Sequence, residues 1–396
     1  MESRTQKWQR SAIRNNLEQY RIAQETYYLL HKPVVTLPDG TRAFSLLSPA
    51  MGSRVASRRV RMIMRTVANR QTRVDDAGRV AWGVRTPHAI TIAVTYDCQC
   101  ACRHCSASTY KDRVAQRGDA LTTAELTRAI RDAVSLGTTC VVLTGGEPLL
   151  HPHPERLITA VDPERSICTL FTNGALLTAP AVERLRHAGL FGVFVSLDHT
   201  VPAVHDANRG RTGLFAQAIR GVRLCQEQGL LTGLSTYVTR EKLQQGELDA
   251  MMQLGKDLGV LEVFLFDVIA TGRLESQRHC MLGAEEIAQV KRFREEYNRR
   301  PDYPRIIHQT MFTSVAYPCA AEGCPAGHVQ VHLRANGDVS PCDFTPVSFG
   351  NIRSEPLKTI WGRLSGSELY AAPSECCRLA NPAYWARLEA MAANGG

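Results

Sequence analysis

Nowhere in this chain of 396 residues does an apolar run approach twenty residues, so no stretch predicts a membrane-spanning helix. The opening MESRTQKWQR is polar and lacks the apolar centre of a signal peptide, which predicts a cytoplasmic protein. Low-complexity tracts and repeats at solenoid periods are missing too, which sets aside arrays and collagen-like architectures. Charge excess is absent from most of the chain: beyond residue 90 there are 31 Lys and Arg against 32 Asp and Glu. The net charge of +9 therefore belongs to residues 1–90, which hold 16 basic residues against 6 acidic ones. Cysteine, by contrast, is plentiful. Thirteen cysteines without an export signal point to metal binding more than to disulfides. Cys140 and Cys168 lie in strand-like runs and are expected in the core.

The informative cysteines sit in TYDCQCACRHCSAS, where Cys98, Cys102 and Cys105 have the spacing C-x3-C-x2-C and no fourth ligand follows. Thiolates are the usual ligands of iron–sulfur clusters, and three on a four-iron cube leave one iron open to bind another molecule. The triplet follows the alternating run AITIAVT, as a loop leaving the C-terminal end of a strand would. In barrel-like α/β proteins that end is the catalytic face. By spacing alone the triplet also suits a zinc knuckle or a structural cluster.

About forty residues on, GGEPLL follows the strand-like TCVVLT. With the triplet, it resembles the radical S-adenosylmethionine superfamily. The resemblance implies that Cys98, Cys102 and Cys105 hold a 4Fe-4S cluster whose open iron chelates the methionine moiety of S-adenosylmethionine. Gly145, Gly146 and Glu147 match the family's GGE element, which hydrogen-bonds the methionine amino group; glycines permit close backbone approach, and a carboxylate accepts from an ammonium. Thr172 and Asn173 in TNG, with Ser196 and Asp198 in SLD, look like the elements placed around the adenosine and methionine portions. Arg209 is similar to an arginine that meets the methionine carboxylate, and Thr236 ends a strand that faces cofactor or substrate. His104 departs from the pattern, since most members carry an aromatic residue there.

Past residue 300, Cys319 and Cys324 precede an alternating run, Asn336-Gly337 signals a hairpin, and Cys342 returns on the far strand. Four sulfurs would equally suit zinc. The wording GCPAG, NGDVSPC and GNI followed by Trp361 resembles the superfamily's auxiliary-cluster extension, SPASM or its shorter form Twitch. That resemblance implies one auxiliary 4Fe-4S cluster, with Cys376 or Cys377 as a further ligand. The dense cysteine run of a second auxiliary cluster is not there.

Strands are predicted at 89–95, 139–144, 167–172, 192–197, 231–238 and 261–268, with helices near 122–136, 178–188, 213–228 and 246–257. Alternation of this kind predicts an α/β fold, a partial (β/α)6 TIM-like barrel. The expected division is a basic, mostly helical extension over 1–85, the radical S-adenosylmethionine core over 86–300, and a SPASM/Twitch-like iron–sulfur domain over 301–396. Within the extension, Val60, Ile63, Met64 and Val67 form one helical stripe and Arg54, Arg58, Arg61 and Arg65 another. Such a helix suits peripheral membrane contact, an anionic substrate, or plain docking on the barrel.

The expected activity is reductive cleavage of S-adenosylmethionine to a 5′-deoxyadenosyl radical, followed by hydrogen abstraction from an unactivated C–H. A reductant such as flavodoxin or ferredoxin is the implied partner. A small metabolite, lipid-like molecule or cofactor precursor is the first substrate class, and a ribosomally made peptide the second. Nucleic acid is disfavoured because aromatic platforms for bases are not evident among the clustered arginines. A non-catalytic carrier with two clusters would leave GGE without a role, and titration with S-adenosylmethionine separates it from an enzyme.

Overall fold

A computed structural model of the chain describes residues 32–59, 86–108, 110, 118–309, 323–370, 374 and 376–393. Residues 1–31 and 60–85 of the expected extension, with Val60, Ile63, Met64, Val67, Arg61 and Arg65, lie outside the described residues, as does Cys319.

The six strands predicted for the core form within two residues of the expected limits: β3 (Ala89–Ala93), β4 (Cys140–Thr144), β5 (Ile167–Thr172), β6 (Gly192–Ser196), β7 (Leu231–Val238) and β8 (Glu262–Asp267). They pair in parallel, each with the next. A parallel sheet buried on both faces favours near-continuous β-branched and aliphatic runs, as in CVVLT and GVFVS. A short hairpin of β1 (Val35–Thr36) and β2 (Arg42–Ala43) precedes them.

The sheet is larger than six strands. Beside β8 lies β9 (Arg305–His308), and beside β3 lies β10 (Gln330–Leu333), both parallel to their neighbours. The Asn336-Gly337 turn then joins β10 to antiparallel β11 (Val339–Ser340). The order is β11-β10-β3-β4-β5-β6-β7-β8-β9, so the cysteine-bearing hairpin of the C-terminal region is an edge of the barrel sheet itself.

Crossover helices cover the outer face. Thr123–Leu136 shows why: a Thr122/Glu125 capping box starts it, Leu126, Ala129, Ile130, Ala133 and Val134 form its buried stripe, and Gly137 ends it at φ 117°. An N-cap of this kind contributes about 1 kcal/mol. At the C-terminus of Ala284–Arg299, the buried Lys32 ammonium donates to the carbonyls of Tyr297, Arg300 and Tyr303, where the helix dipole favours a cation. Burial, with Arg305 nearby, lowers the Lys32 pKa to about 7.

Part of the expected extension is a plug for the barrel. Residues 43–50 are buried; Leu46 N donates to Glu262 Oε1 at 2.7 Å, and Thr169 Oγ1 donates to Leu46 O at 2.6 Å. The helical residues 54–59 hold it in place: Arg59 donates to Thr139 Oγ1 and Ser48 Oγ, and Arg58 to the carbonyls of Val134 and Arg165. Arg54 is exposed and pairs with Glu164. Arg58, a member of the arginine stripe, is thus turned onto the barrel. Among the described residues no helix is long and apolar enough to cross a membrane.

Candidate active site

A cavity of about 290 Å³ opens at the C-terminal ends of the strands, and both cysteine groups line it. Cys98, Cys102 and Cys105 come from the loop after β3, with Cys100 beside them. Neighbouring strand ends clamp this loop through its backbone. Gly146 N and Glu147 N donate to Thr95 O and Asp97 O, Ala101 N and Arg103 N to Arg209 O and Asn208 O, and Arg273 Nη1 to Cys102 O. Arg273 thereby braces the cysteine loop. A Cβ on Gly145 would lie 2.1 Å from Thr95 O. The paired glycines are therefore required by the approach of backbone to backbone, whatever they do for a ligand.

The thiols are free, half-buried and face one space, a donor set that fits a four-iron cube held at three of its corners. Among the described residues no three His, Cys, Asp or Glu side chains close around a single ion. A cube makes no such demand, because each thiolate takes a different iron.

The residues assigned to S-adenosylmethionine divide into two groups. Gly145, Gly146, Asn173, Ser196, Asp198, Arg209 and Thr236 line the cavity. Glu147 and Thr172 do not: the Glu147 carboxylate is fully buried and accepts from Thr172 Oγ1 at 2.7 Å, Asn173 N at 2.9 Å and Leu149 N at 3.1 Å. The carboxylate expected to meet an ammonium thus joins the GGE loop to the TNG loop. Burial raises its pKa to about 7 despite those three donors. Asp198 and Arg209 form a buried two-pronged pair at 2.7 and 2.8 Å. Against burial, which opposes both charges, the pair holds Asp198 well below the usual carboxylate range and Arg209 above its own. Arg209 Nε and Nη2 are spent on Asp198, so Nη1 is left for a ligand. His104 packs on Tyr237 with ring centroids 3.9 Å apart, and burial lowers its pKa to about 4, which keeps it neutral.

On the opposite side, Cys324, Cys342 and Cys377 line the same cavity. Cys376 is exposed and does not, so the geometry favours Cys377 where the sequence left two choices.

Several cavity residues escaped sequence reading. Phe171, Phe264 and Phe266 form an aromatic wall with Phe344 against it, and Leu47 from the plug also reaches the cavity. Asp267, at the end of β8, pairs with the fully buried His308 at 2.7 Å. Thr91 and His332 both bond Asp343, at 2.6 and 2.8 Å. The signal available was position alone: each acid follows a strand end or a cysteine.

Residues 92–254 match the Radical SAM superfamily, and residues 324–378 match SPASM, an iron-sulfur cluster-binding domain. The AdoMet-dependent heme synthase of Methanosarcina barkeri is 28% identical over 291 residues, covering 69% of this chain and 82% of that protein. The PqqA peptide cyclase of Gluconobacter oxydans is 26% identical, covering 69% and 76%. Streptococcus suis SuiB bound to precursor peptide SuiA shares the fold, with a TM-score of 0.60 at 16% identity over 79% of this chain and 71% of that one.

Proposed function

We propose that this chain, which belongs to the radical S-adenosylmethionine enzymes and carries a SPASM iron–sulfur domain, abstracts hydrogen from an unactivated C–H of a small cofactor-precursor substrate with an apolar body. The observation that carries the reading is an aromatic-walled cavity bordered by both cysteine groups. The chain binds S-adenosylmethionine and a 4Fe-4S cluster, and its SPASM domain carries auxiliary iron–sulfur chemistry.

Cys98, Cys102 and Cys105 would hold the first cluster, which supplies the electron that cleaves the sulfonium to a 5′-deoxyadenosyl radical. Cys324, Cys342 and Cys377 would hold one auxiliary 4Fe-4S cluster. Asn173, Ser196 and Thr236 offer hydrogen bonds to the cofactor, and Arg209 Nη1 offers one to a carboxylate. The aromatic wall orients the substrate's apolar body and keeps water away from it.

A heme-type tetrapyrrole is the first candidate, because curated relatives include heme synthases and an Fe-coproporphyrin III synthase. The second reading is a peptide substrate, favoured by the likeness to the SuiB fold and to the PqqA cyclase. A reductant such as flavodoxin or ferredoxin belongs to the same proposal, since reductive cleavage of S-adenosylmethionine needs an electron, and a cytoplasmic setting suits the twelve described cysteines, all free thiols. Peripheral membrane contact has less support, given that Arg58 is committed to the barrel.

Anaerobically reconstituted protein with S-adenosylmethionine and a reductant should form 5′-deoxyadenosine. Adding Fe-coproporphyrin III should increase that yield and convert the tetrapyrrole, as followed by mass spectrometry. Conversion of a precursor peptide alone would favour the second reading, and no cleavage at all would point to an electron carrier.

A further inference from the structure

The auxiliary-cysteine side of the cavity is built from hydrogen-bond acceptors. Asp267 accepts from His308 Nε2 through Oδ1, and through Oδ2 accepts a long bond of 3.3 Å from Gln309 Nε2. That bond turns the Gln309 amide nitrogen toward the carboxylate and leaves Oε1, a buried atom with no partner among the described residues, at the other end. Asp343 takes both of its bonds, from Thr91 and His332, on Oδ1, which leaves Oδ2; its side chain is 30% exposed and borders the cavity. Phe266 and Phe344 meet edge to face, 6.4 Å between centroids, and so bring the two acids' loops together. Carboxylate and amide oxygens beside aromatic rings call for a ligand that supplies hydrogens, and a buried acceptor left unmet costs about 1–3 kcal/mol.

We propose that Asp267, Asp343 and Gln309 select the substrate, taking a protonated amine on an apolar body between the two cysteine groups. His308 and His332 are positioning residues that fix the two carboxylates from behind. The inference goes beyond the function proposed above; an amine fits its second, peptide reading, because Fe-coproporphyrin III brings carboxylates and no amine to these acids.

The test uses the anaerobically reconstituted full chain and three probes of one shape: benzylamine, benzyl alcohol and phenylacetate, measured by equilibrium dialysis with and without S-adenosylmethionine. Benzylamine should bind at least about tenfold more tightly than either of the others, the difference expected of one charge-assisted hydrogen bond. It should remain bound when S-adenosylmethionine is added. Asp267→Asn should remove most of the preference at unchanged iron content. Should that variant lose iron, Gln309→Leu decides, and it should weaken benzylamine while sparing phenylacetate. Equal binding of the three probes, displacement of benzylamine by S-adenosylmethionine, or a full preference in an iron-replete Asp267→Asn protein would each overturn the assignment. Turnover of Fe-coproporphyrin III is read separately, so failure here is distinct from failure of the tetrapyrrole reading.

Discussion

Gly146 lies so close to Asp97 that a Cβ on it would fall 2.3 Å from the Asp97 carbonyl oxygen. The contact joins the GGE loop to the cysteine loop, so the two loops can take this arrangement only when position 146 has no side chain.

Gly146→Ala should therefore push the two loops apart. Overpacking of this kind costs about 1–3 kcal/mol. We expect a lowered melting temperature and reduced iron at the first cysteine group, measured by iron analysis and electron paramagnetic resonance. An alanine variant with parental iron content and stability would contradict the backbone clamp.

Replacing Cys98, Cys102 or Cys105 by Ala should each abolish 5′-deoxyadenosine formation, because a cube held at three corners cannot spare one. Cys100 borders the same cavity, yet the family spacing skips it, and Cys100→Ala should retain cleavage. The assignment fails if Cys100→Ala is inactive while Cys102→Ala is active.

The auxiliary group offers a sharper choice. Cys377→Ala should lower iron by about one cluster, whereas Cys376→Ala should leave it near the parental value, since only Cys377 borders the cavity. The reverse pattern, or zinc found in place of iron after strictly anaerobic preparation, would refute the ligand set.

Glu262 holds the plug, and burial raises its pKa to about 7 even though Arg305 and two donors oppose the rise. An acid whose folded pKa lies above its unfolded value binds more protons when folded. Its contribution therefore favours folding at low pH, declines between about 4.5 and 7, and levels off above that, a change of about 3 kcal/mol. Glu262→Gln keeps an acceptor for Leu46 N and should flatten that decline, as read from denaturant midpoints between pH 5 and 8. An unchanged slope would rule out Glu262 as its source.

Much of this protein is written locally. The alternation of AITIAVT, CVVLT and GVFVS, the capping box at Thr122 and the Asn336-Gly337 turn each act within a few residues, so strands, helices and hairpin are readable in order. The triplet at 98–105 is likewise local, because its cysteines fall in one loop, although the GGE element was needed beside the spacing to set a cube above a zinc knuckle. Tertiary structure decided what depends on residues far apart in the chain. RIIH is too short to announce a strand and becomes β9 only by pairing with β8, and the alternating run that holds QVHL announces a hairpin but not the parallel pairing of β10 with β3. AFSLLSPA is a plug only because Thr169 and Glu262, distant in the chain, come together to hold its backbone. The direction of the Glu147 carboxylate follows from Thr172 and Asn173, twenty-five and twenty-six residues away. That Cys377 and not its neighbour borders the cavity, and that His308 meets Asp267, arise from packing and burial, which adjacent residues in sequence cannot specify.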